Sequence, residues 1–186
     1  MSGPIGQTGQ NGLQVELLSG RALFGCKGPR AADWLSGQGL AIPVAPNTWS
    51  AAADGAVVAR LGTSEFFIEE GAAGATLQPL ASAFAAAAVS GVYPVLREDW
   101  AFMLRGDDVE VLLAQLCNVD FVALDHARSP VVMTLMVGVA VLVVPQATAA
   151  GRQYRLWCDP TYGPYLGSTL QGVVGECGGT YRGMME

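Results

Sequence analysis

The only histidine of the chain, His126, directly follows Asp125. A carboxylate that orients a histidine ring can make that ring a general base. Residues adjacent in sequence seldom place the carboxylate against a ring nitrogen, and no nearby serine or cysteine is marked as a nucleophile by its surroundings. We therefore interpret residues 125–128 as a polar loop before the strand that follows Pro130.

Two pairs of neighbouring acids, Glu69-Glu70 and Glu98-Asp99, are the next candidates for acid–base chemistry. Catalytic carboxylates work in pairs held at defined separations in space, which sequence neighbours do not establish. Both pairs flank predicted strands, where solvated turn residues are expected. We interpret them as such residues and assign no catalytic residue to the chain.

Anion binding is the third possibility, because Gly28 lies between a predicted strand and a predicted helix. The helix N-terminus of such a turn can hold a phosphate. The chain contains neither G-x-G-x-x-G nor G-x-x-x-x-G-K-[ST], and Pro29 removes an amide donor at this turn. Lys27 and Arg105, like Arg60, lie at strand ends, where they either contact an acidic ligand or keep their charges in water above apolar stems.

The four cysteines, Cys26, Cys117, Cys158 and Cys177, are far apart and form no Cys-x-x-Cys pair. Zinc sites usually show such paired spacing, so we predict no metal site. A chain of 186 residues that can build a core has little need of a disulfide framework. We expect reduced thiols and a cytoplasmic protein.

The composition excludes several function classes. The chain has a net charge of −6 and a single lysine, Lys27, so it lacks the clustered basic residues that nucleic acids require. Anionic membrane surfaces are disfavoured for the same reason. Hydrophobic residues make up 51% of the chain and charged residues only 14%. Such an apolar excess suggests a surface covered by a partner chain.

The longest apolar run is 131–144, in which seven of 14 residues are valine. A membrane-spanning helix needs about 20 residues. The β-branched residues instead predict one long buried strand, which could be bulged at Gly138. Residues 1–12 are rich in glycine and glutamine and lack the apolar stretch of a signal peptide, so we expect a disordered tail there.

A repeat organises the rest of the chain. A strand-like segment, a base, a glycine and an amphipathic helix occur at 24–35 and again at 102–113, an offset of 78 residues. Each half predicts the order β-α-β-β-α and can be closed by a further strand. The fold class is therefore α+β, with two fused ferredoxin-like βαββαβ halves and mostly antiparallel sheets. We predict halves at 13–97 and 98–174, and a C-terminal tail at 175–186.

Aromatic residues form no stripe along the chain. Trp34, Phe66 and Phe67 fall at core positions of the predicted elements. A second group gathers in the last predicted hairpin and helix: Tyr154, Trp157, Tyr162 and Tyr165. Aromatic residues anchor protein interfaces, so this group is either an interface patch or the core of the second half.

Four stretches carry a resemblance to a known family. They are Gly28-Pro29-Arg30-Ala31-Ala32-Asp33-Trp34-Leu35, Pro43-Val44-Ala45-Pro46-Asn47-Thr48, Leu61-Gly62-Thr63-Ser64-Glu65-Phe66-Phe67, and 162–170 with the strand before it. Their order and spacing resemble the aminomethyltransferase-like (glycine-cleavage T-protein) superfamily. Within it, the chain looks most like the sarcosine oxidase gamma subunit family.

The resemblance implies an accessory role in a heterotetrameric complex with alpha, beta and delta subunits. Such a complex oxidatively demethylates an N-methyl amino acid and passes the one-carbon unit to tetrahydrofolate. It uses FAD, FMN, NAD and tetrahydrofolate, which the resemblance assigns to the complex and to no residue of this chain.

Three alternatives stay open. The first is the gamma subunit of N-methylglutamate dehydrogenase. The second is a stand-alone folate-binding protein, with Asp99 or Glu98 facing the pterin. The third is a homo-oligomeric module without a ligand.

Overall fold

The computed structural model describes residues 12–149 and 151–183. The predicted disordered tail therefore lies outside the described residues except for Gly12. The elements up to residue 95 are β1 (Gln14–Leu17), β2 (Leu23–Lys27), α1 (Ala31–Gly37), β3 (Thr48–Ala51), β4 (Val57–Arg60), β5 (Glu65–Glu69), α2 (Leu77–Ala86) and β6 (Tyr93–Val95). Those that follow are β7 (Trp100–Arg105), α3 (Val109–Leu116), β8 (Val132–Met136), β9 (Val139–Thr148), β10 (Gly151–Cys158), α4 (Gly163–Glu176) and β11 (Thr180–Arg182).

The strands form two sheets. A five-stranded sheet has the order β3-β4-β5-β2-β6, and a six-stranded sheet has the order β11-β1-β7-β10-β9-β8. Neighbouring strands are antiparallel except β1 and β11, which run parallel. The predicted α+β class with mostly antiparallel sheets is therefore confirmed. The predicted range 13–97 assigned β1 to the first half, whereas its ladder partners are β7 and β11 of the second sheet.

The sheets pack face to face, with helices on both outer sides. Strand β5 shows this layering in consecutive residues: Phe66 packs in the core that includes residues of α1 and α2, and Phe67 packs in the core between the sheets. Both are fully buried. Burying each such side chain stabilises the fold by about 1.5–3 kcal/mol. A strand buried on both faces reads as a continuous apolar run, as β5 does.

The repeated strand-to-helix turns have matching backbones. Gly28 has φ +128° and Gly106 has φ +122°, values that side-chain-bearing residues rarely adopt. A Cβ at Gly28 would lie 2.3 Å from the Gly91 carbonyl oxygen, and one at Gly106 would lie 2.7 Å from Leu13 Cα. Both glycines are therefore required by backbone conformation and by close packing.

The prediction of one long strand over 131–144 is wrong. Strand β8 turns into β9 through Val137 and Gly138, whose φ values are +45° and +87°. Two positive φ angles suit the tight turn that joins twisted antiparallel strands. Asparagine usually precedes glycine in such turns, and valine at that position concealed the hairpin. Strand β9 reaches Thr148 and β10 begins at Gly151, so a short turn joins these two strands.

Candidate functional site

His126 and Asp125 do not form a catalytic pair in the structure. The Nε2 atom of His126 lies 3.0 Å from the Phe121 carbonyl oxygen. The Asp125 carboxylate accepts a hydrogen bond from the Ala127 amide at 3.2 Å and caps the short 3₁₀ helix His126–Arg128. Both side chains hold the loop together, as the polar-loop interpretation predicts.

Glu69 was expected to be a solvated turn residue, and this expectation is wrong. It is the one charged residue among the buried residues that the structure describes, with an exposed fraction of 0%. The indole Nε1 of Trp157 donates to its Oε2 at 2.6 Å, and Arg155 Nη1 donates to its Oε1 at 3.0 Å. The Nε atom of Arg21 lies 3.8 Å from Oε1. Glu69 ends β5 at the sheet–sheet contact, so β10 covers it.

The surroundings of Glu69 have opposing effects on its pKa. Burial raises the pKa of Glu69, while the charge of Arg155, the Trp157 hydrogen bond and Arg21 oppose that rise. Burial likewise lowers the pKa of Arg155, opposed by Glu69. Since both carboxylate oxygens already accept hydrogen bonds from β10, Glu69 links the two sheets.

Glu70, its sequence neighbour, supports a helix. Its carboxylate accepts hydrogen bonds from the amides of Thr76 at 3.0 Å and Leu77 at 2.9 Å. The side chain of Thr76 makes no capping hydrogen bond, so Glu70 satisfies the free amides at the start of α2 from the preceding loop. A carboxylate there also stabilises the positive end of the helix.

Asp99 lies where two cavities meet. Both cavities are lined by Asp99 and Arg97, and their volumes are about 600 Å³ and 690 Å³. Arg97 Nη2 is 3.3 Å from a Glu65 oxygen and Nη1 is 3.8 Å from Asp99. The guanidinium carbon of Arg97 lies 5.4 Å from the centroid of the Phe67 ring, which fixes the side chain against the sheet.

The Asp99 carboxyl is the sequence candidate best placed to meet a ligand. Its side chain is 16% exposed, and burial raises its pKa, against the opposing charge of Arg97. Glu98 lines only the smaller cavity. Both cavity volumes fall in the range of about 300–1,000 Å³ that small-molecule sites occupy. A partly buried acid beside an arginine can bind donor groups of a ligand there.

The three strand-end cations have different surroundings. Arg60 donates to the carbonyl oxygens of Gly62, Pro43, Val44 and Thr63 at 2.6–3.2 Å, so it holds two loops together.

Arg105 pairs with Glu16 at 3.3 Å and donates to Gln14, across the β1–β7 ladder. Lys27 is exposed at the end of β2.

Burial divides the second aromatic group in two. Tyr154 and Trp157 are buried in the core, with exposed fractions of 0% and 1%. Tyr162 and Tyr165 are each 53% exposed. Of the three predicted core aromatics, Phe66 and Phe67 are fully buried, and Trp34 is partly buried and packs against the core that contains Phe66.

All four cysteines are free. Cys158 lines the larger cavity, and burial raises its pKa to about 12. Burial also raises the pKa of Cys26 to about 12. Within 12–149 and 151–183, no group of three or more His, Cys, Asp or Glu side chains is arranged to hold a metal ion.

Sequence reasoning missed Arg21, Arg97 and Arg155, the cations that surround Glu69 and Asp99. One signal was available for Arg155: it stands between Tyr154 and Leu156 in a predicted strand, two residues before Trp157. Side chains two apart in a strand share a face. A charge beside a buried tryptophan therefore needs a buried partner, although the sequence does not identify Glu69 as that partner.

Comparisons with known proteins place the fold. No protein-family model matches the chain, and no curated protein matches it in sequence. A chain of the heterotetrameric sarcosine oxidase from Corynebacterium sp. U-96, in complex with pyrrole 2-carboxylate, matches with a TM-score of 0.70 and 17% identity. That match covers 91% of this chain and 87% of the other.

A second solved structure is similar: the glycine cleavage system aminomethyltransferase T from Bartonella henselae. Its TM-score is 0.65 at 14% identity, and the match covers 94% of this chain but 48% of that protein. This chain therefore spans about half the length of the aminomethyltransferase. Both likenesses show that the chain has the aminomethyltransferase-like fold, as the resemblance predicted. No helix in the described part of the chain has the length and hydropathy to cross a membrane.

Proposed function

We propose that this chain is the small accessory, gamma-type subunit of a heteromeric flavin-dependent complex that oxidatively demethylates an N-methyl amino acid. The observation that carries the proposal is the match to a chain of similar length in a heterotetrameric sarcosine oxidase, since 91% of one chain and 87% of the other are covered. On this proposal the alpha, beta and delta chains are its partners. FAD, FMN, NAD and tetrahydrofolate serve the complex, which works in the cytoplasm.

The local chemistry of the chain supports an accessory role. Glu69, Glu70 and Arg60 use their polar atoms to join sheets, helix and loops. His126 is engaged with a backbone carbonyl. Because these groups stabilise the fold, we assign the redox step and the one-carbon transfer to the partner chains. The substrate is sarcosine or, in the alternative complex, N-methylglutamate.

The strand orders support a duplicated scaffold beneath this role. The first sheet contains the order β6-β2-β5-β4, and the second contains β1-β7-β10-β9. Strands β2, β4 and β5 of the first sheet correspond in position and in chain order to β7, β9 and β10 of the second. The exception is β1, which occupies the place of the fourth strand of a ferredoxin-like half. We propose that the chain is two ferredoxin-like halves in which the N-terminal strand completes the second sheet.

Co-expression with the flavin-containing chains of such a complex tests the proposal. The tagged chain is purified in low salt. The purified sample is then examined for a co-purifying subunit and for the absorbance of oxidised flavin. We expect a stoichiometric complex. A tagged chain that is folded by circular dichroism and yet brings down no flavin-containing chain refutes the accessory role.

A stand-alone folate-binding protein is the second candidate, and the position of Asp99 between two cavities favours it. Thermal unfolding with and without millimolar tetrahydrofolate tests this alternative, because a ligand that binds only the folded state raises Tm. The alternative predicts a rise in Tm that Asp99→Asn reduces. An unchanged Tm eliminates it and leaves the accessory role in place.

A further inference from the structure

Strand β8 is an open edge of the six-stranded sheet. Its pairing with β9 closes at Met136 and Val139, beside the two-residue turn. In such a hairpin the closing pair exchanges hydrogen bonds, and bonded and non-bonded pairs then alternate. The alternation directs the N–H and C=O groups of Met133 and Leu135 away from β9. Four backbone groups therefore face outward along this edge.

The side chains of the same two residues are apolar and exposed. Met133 has an exposed fraction of 54% and Leu135 of 63%. They alternate with Thr134 and line the 690 Å³ cavity together with Leu61 and Leu142. An edge that offers both free backbone groups and apolar side chains invites a further strand.

Both edges of the first sheet are protected, whereas the edge of β8 is covered only just before its start, at 129–131, and not at Met133 or Leu135. Edge strand β6 contains Pro94, which has no amide to donate. Edge strand β3 is joined to the second sheet through the Thr48–Pro130 bridge and the 2.7 Å bond from the Val131 amide to the Asn47 carbonyl. In contrast, β8 has no proline, and no charged residue occurs anywhere in 129–151.

The charges around the cavity indicate what kind of strand fits. Three acids, Glu65, Asp99 and Asp159, line it against one base, Arg97. A second copy of this chain, with its net charge of −6, would bring the same acids toward one another. Like charges placed together oppose association, and opposite charges favour it. The cavity therefore favours a different chain that carries a basic side chain.

We propose that β8 is the docking edge for a β-strand of the flavin-containing partner chain. That strand is apolar where it pairs with Met133 and Leu135, and a basic residue beside it faces Glu65, Asp99 and Asp159. The inference rests on the proposed accessory function and identifies the surface through which it operates. Adding a strand to an open edge takes affinity from backbone hydrogen bonds and specificity from side-chain pockets.

Two variants of Leu135 test the edge in the co-expressed complex. Leu135→Glu adds a like charge beside the acidic cavity, and Leu135→Pro removes an outward amide while the bonds to β9 stay intact. The matched control is Val122→Glu, at an apolar residue that is 62% exposed in the loop before β8. The measurement is the amount of flavin-containing chain retained per mole of tagged chain, with circular dichroism to verify folding.

We expect both Leu135 variants to reduce retention by roughly tenfold or more and Val122→Glu to leave it unchanged. If Leu135→Pro fails to fold, Leu135→Glu carries the test alone. Full retention by a folded Leu135→Glu chain refutes the docking edge and leaves the accessory function standing. A wild-type chain that retains no flavin chain refutes both. Light scattering that shows a dimer of the isolated chain, dissociated by Leu135→Glu, would assign the edge to a second copy instead.

Discussion

Replacing Glu69 by alanine tests the interaction that joins the two sheets. The substitution removes a fully buried carboxylate and leaves the Arg155 guanidinium, whose side chain is 13% exposed, without its partner. It also leaves the Trp157 indole N–H, which donates at 2.6 Å, without an acceptor. Removing one member of a buried ion pair costs about 3–5 kcal/mol because the other charge stays buried and uncompensated.

This loss is large enough to measure by thermal unfolding. In a chain of 150–250 residues each kcal/mol shifts Tm by about 2–4 °C, so Glu69→Ala should lower Tm by roughly 6–20 °C. The matched control is Glu65→Ala, at the other end of β5, where the carboxylate is 43% exposed and pairs with Arg97 at 3.3 Å. An exposed pair of this kind contributes at most about 1 kcal/mol.

A double variant distinguishes an unpaired charge from lost packing. Glu69→Leu combined with Arg155→Met replaces both charges by apolar groups, and such replacements of whole buried pairs are often neutral or stabilising. We expect the double variant to recover the part of the Tm loss that the unpaired Arg155 charge causes, while the Trp157 N–H still lacks its acceptor. The reasoning is refuted if Glu69→Ala and Glu65→Ala have the same Tm, or if the double variant is as unstable as Glu69→Ala.

Three further predictions concern backbone, ionisation and thiols. Gly28→Ala should destabilise the chain by about 1–3 kcal/mol through overpacking and strain, whereas Gly172→Ala, in open space on α4, should stabilise it by up to about 1 kcal/mol; equal urea midpoints would contradict this. Because burial raises the pKa of Asp99, the folded state binds its proton more tightly than the unfolded state, and this contribution to stability is lost as the pH rises through the folded pKa. As the pH rises from 4 to 7, the Tm of Asp99→Asn should therefore increase relative to the Tm of wild type. A Tm difference that changes in favour of wild type over that range would refute the assignment. Iodoacetamide at pH 8 should modify the half-buried Cys177 well before Cys158, whose pKa burial raises to about 12, and mass spectrometry that finds equal rates would contradict the burial argument.

Much of the fold was predictable from local sequence patterns. The strand–turn–helix segments predicted at 24–35 and 102–113 coincide with β2 and α1 and with β7 and α3. The repeated glycine turns at Gly28 and Gly106 were also predictable, because glycine between a strand and a helix signals a backbone that other residues avoid. These features depend on residues close together in the chain.

The features that the sequence did not predict depend on distant partners or on an unusual turn residue. The hairpin of β8 and β9 was concealed because Val137 occupies a positive-φ position that seldom accepts valine. Strand β1 could pair in either sheet on its alternation alone. The sequence did not show which residues of the second aromatic group are buried. In the folded chain Tyr154 is buried and Tyr162 is exposed.

The candidate site shows the same division. Composition and spacing alone show that the chain is acidic, rich in apolar residues and built on two similar strand–turn–helix units, since both are local properties. In contrast, the contact of Glu69 with Arg155, 86 residues away, and the position of Asp99 between two cavities follow from long-range packing. A buried charge is tolerated when an opposite charge reaches it, and packing of the two sheets sets which charges meet. The open edge at β8 likewise depends on the folded chain, since the hydrogen bonds from the first sheet reach Val131 and not Met133 or Leu135.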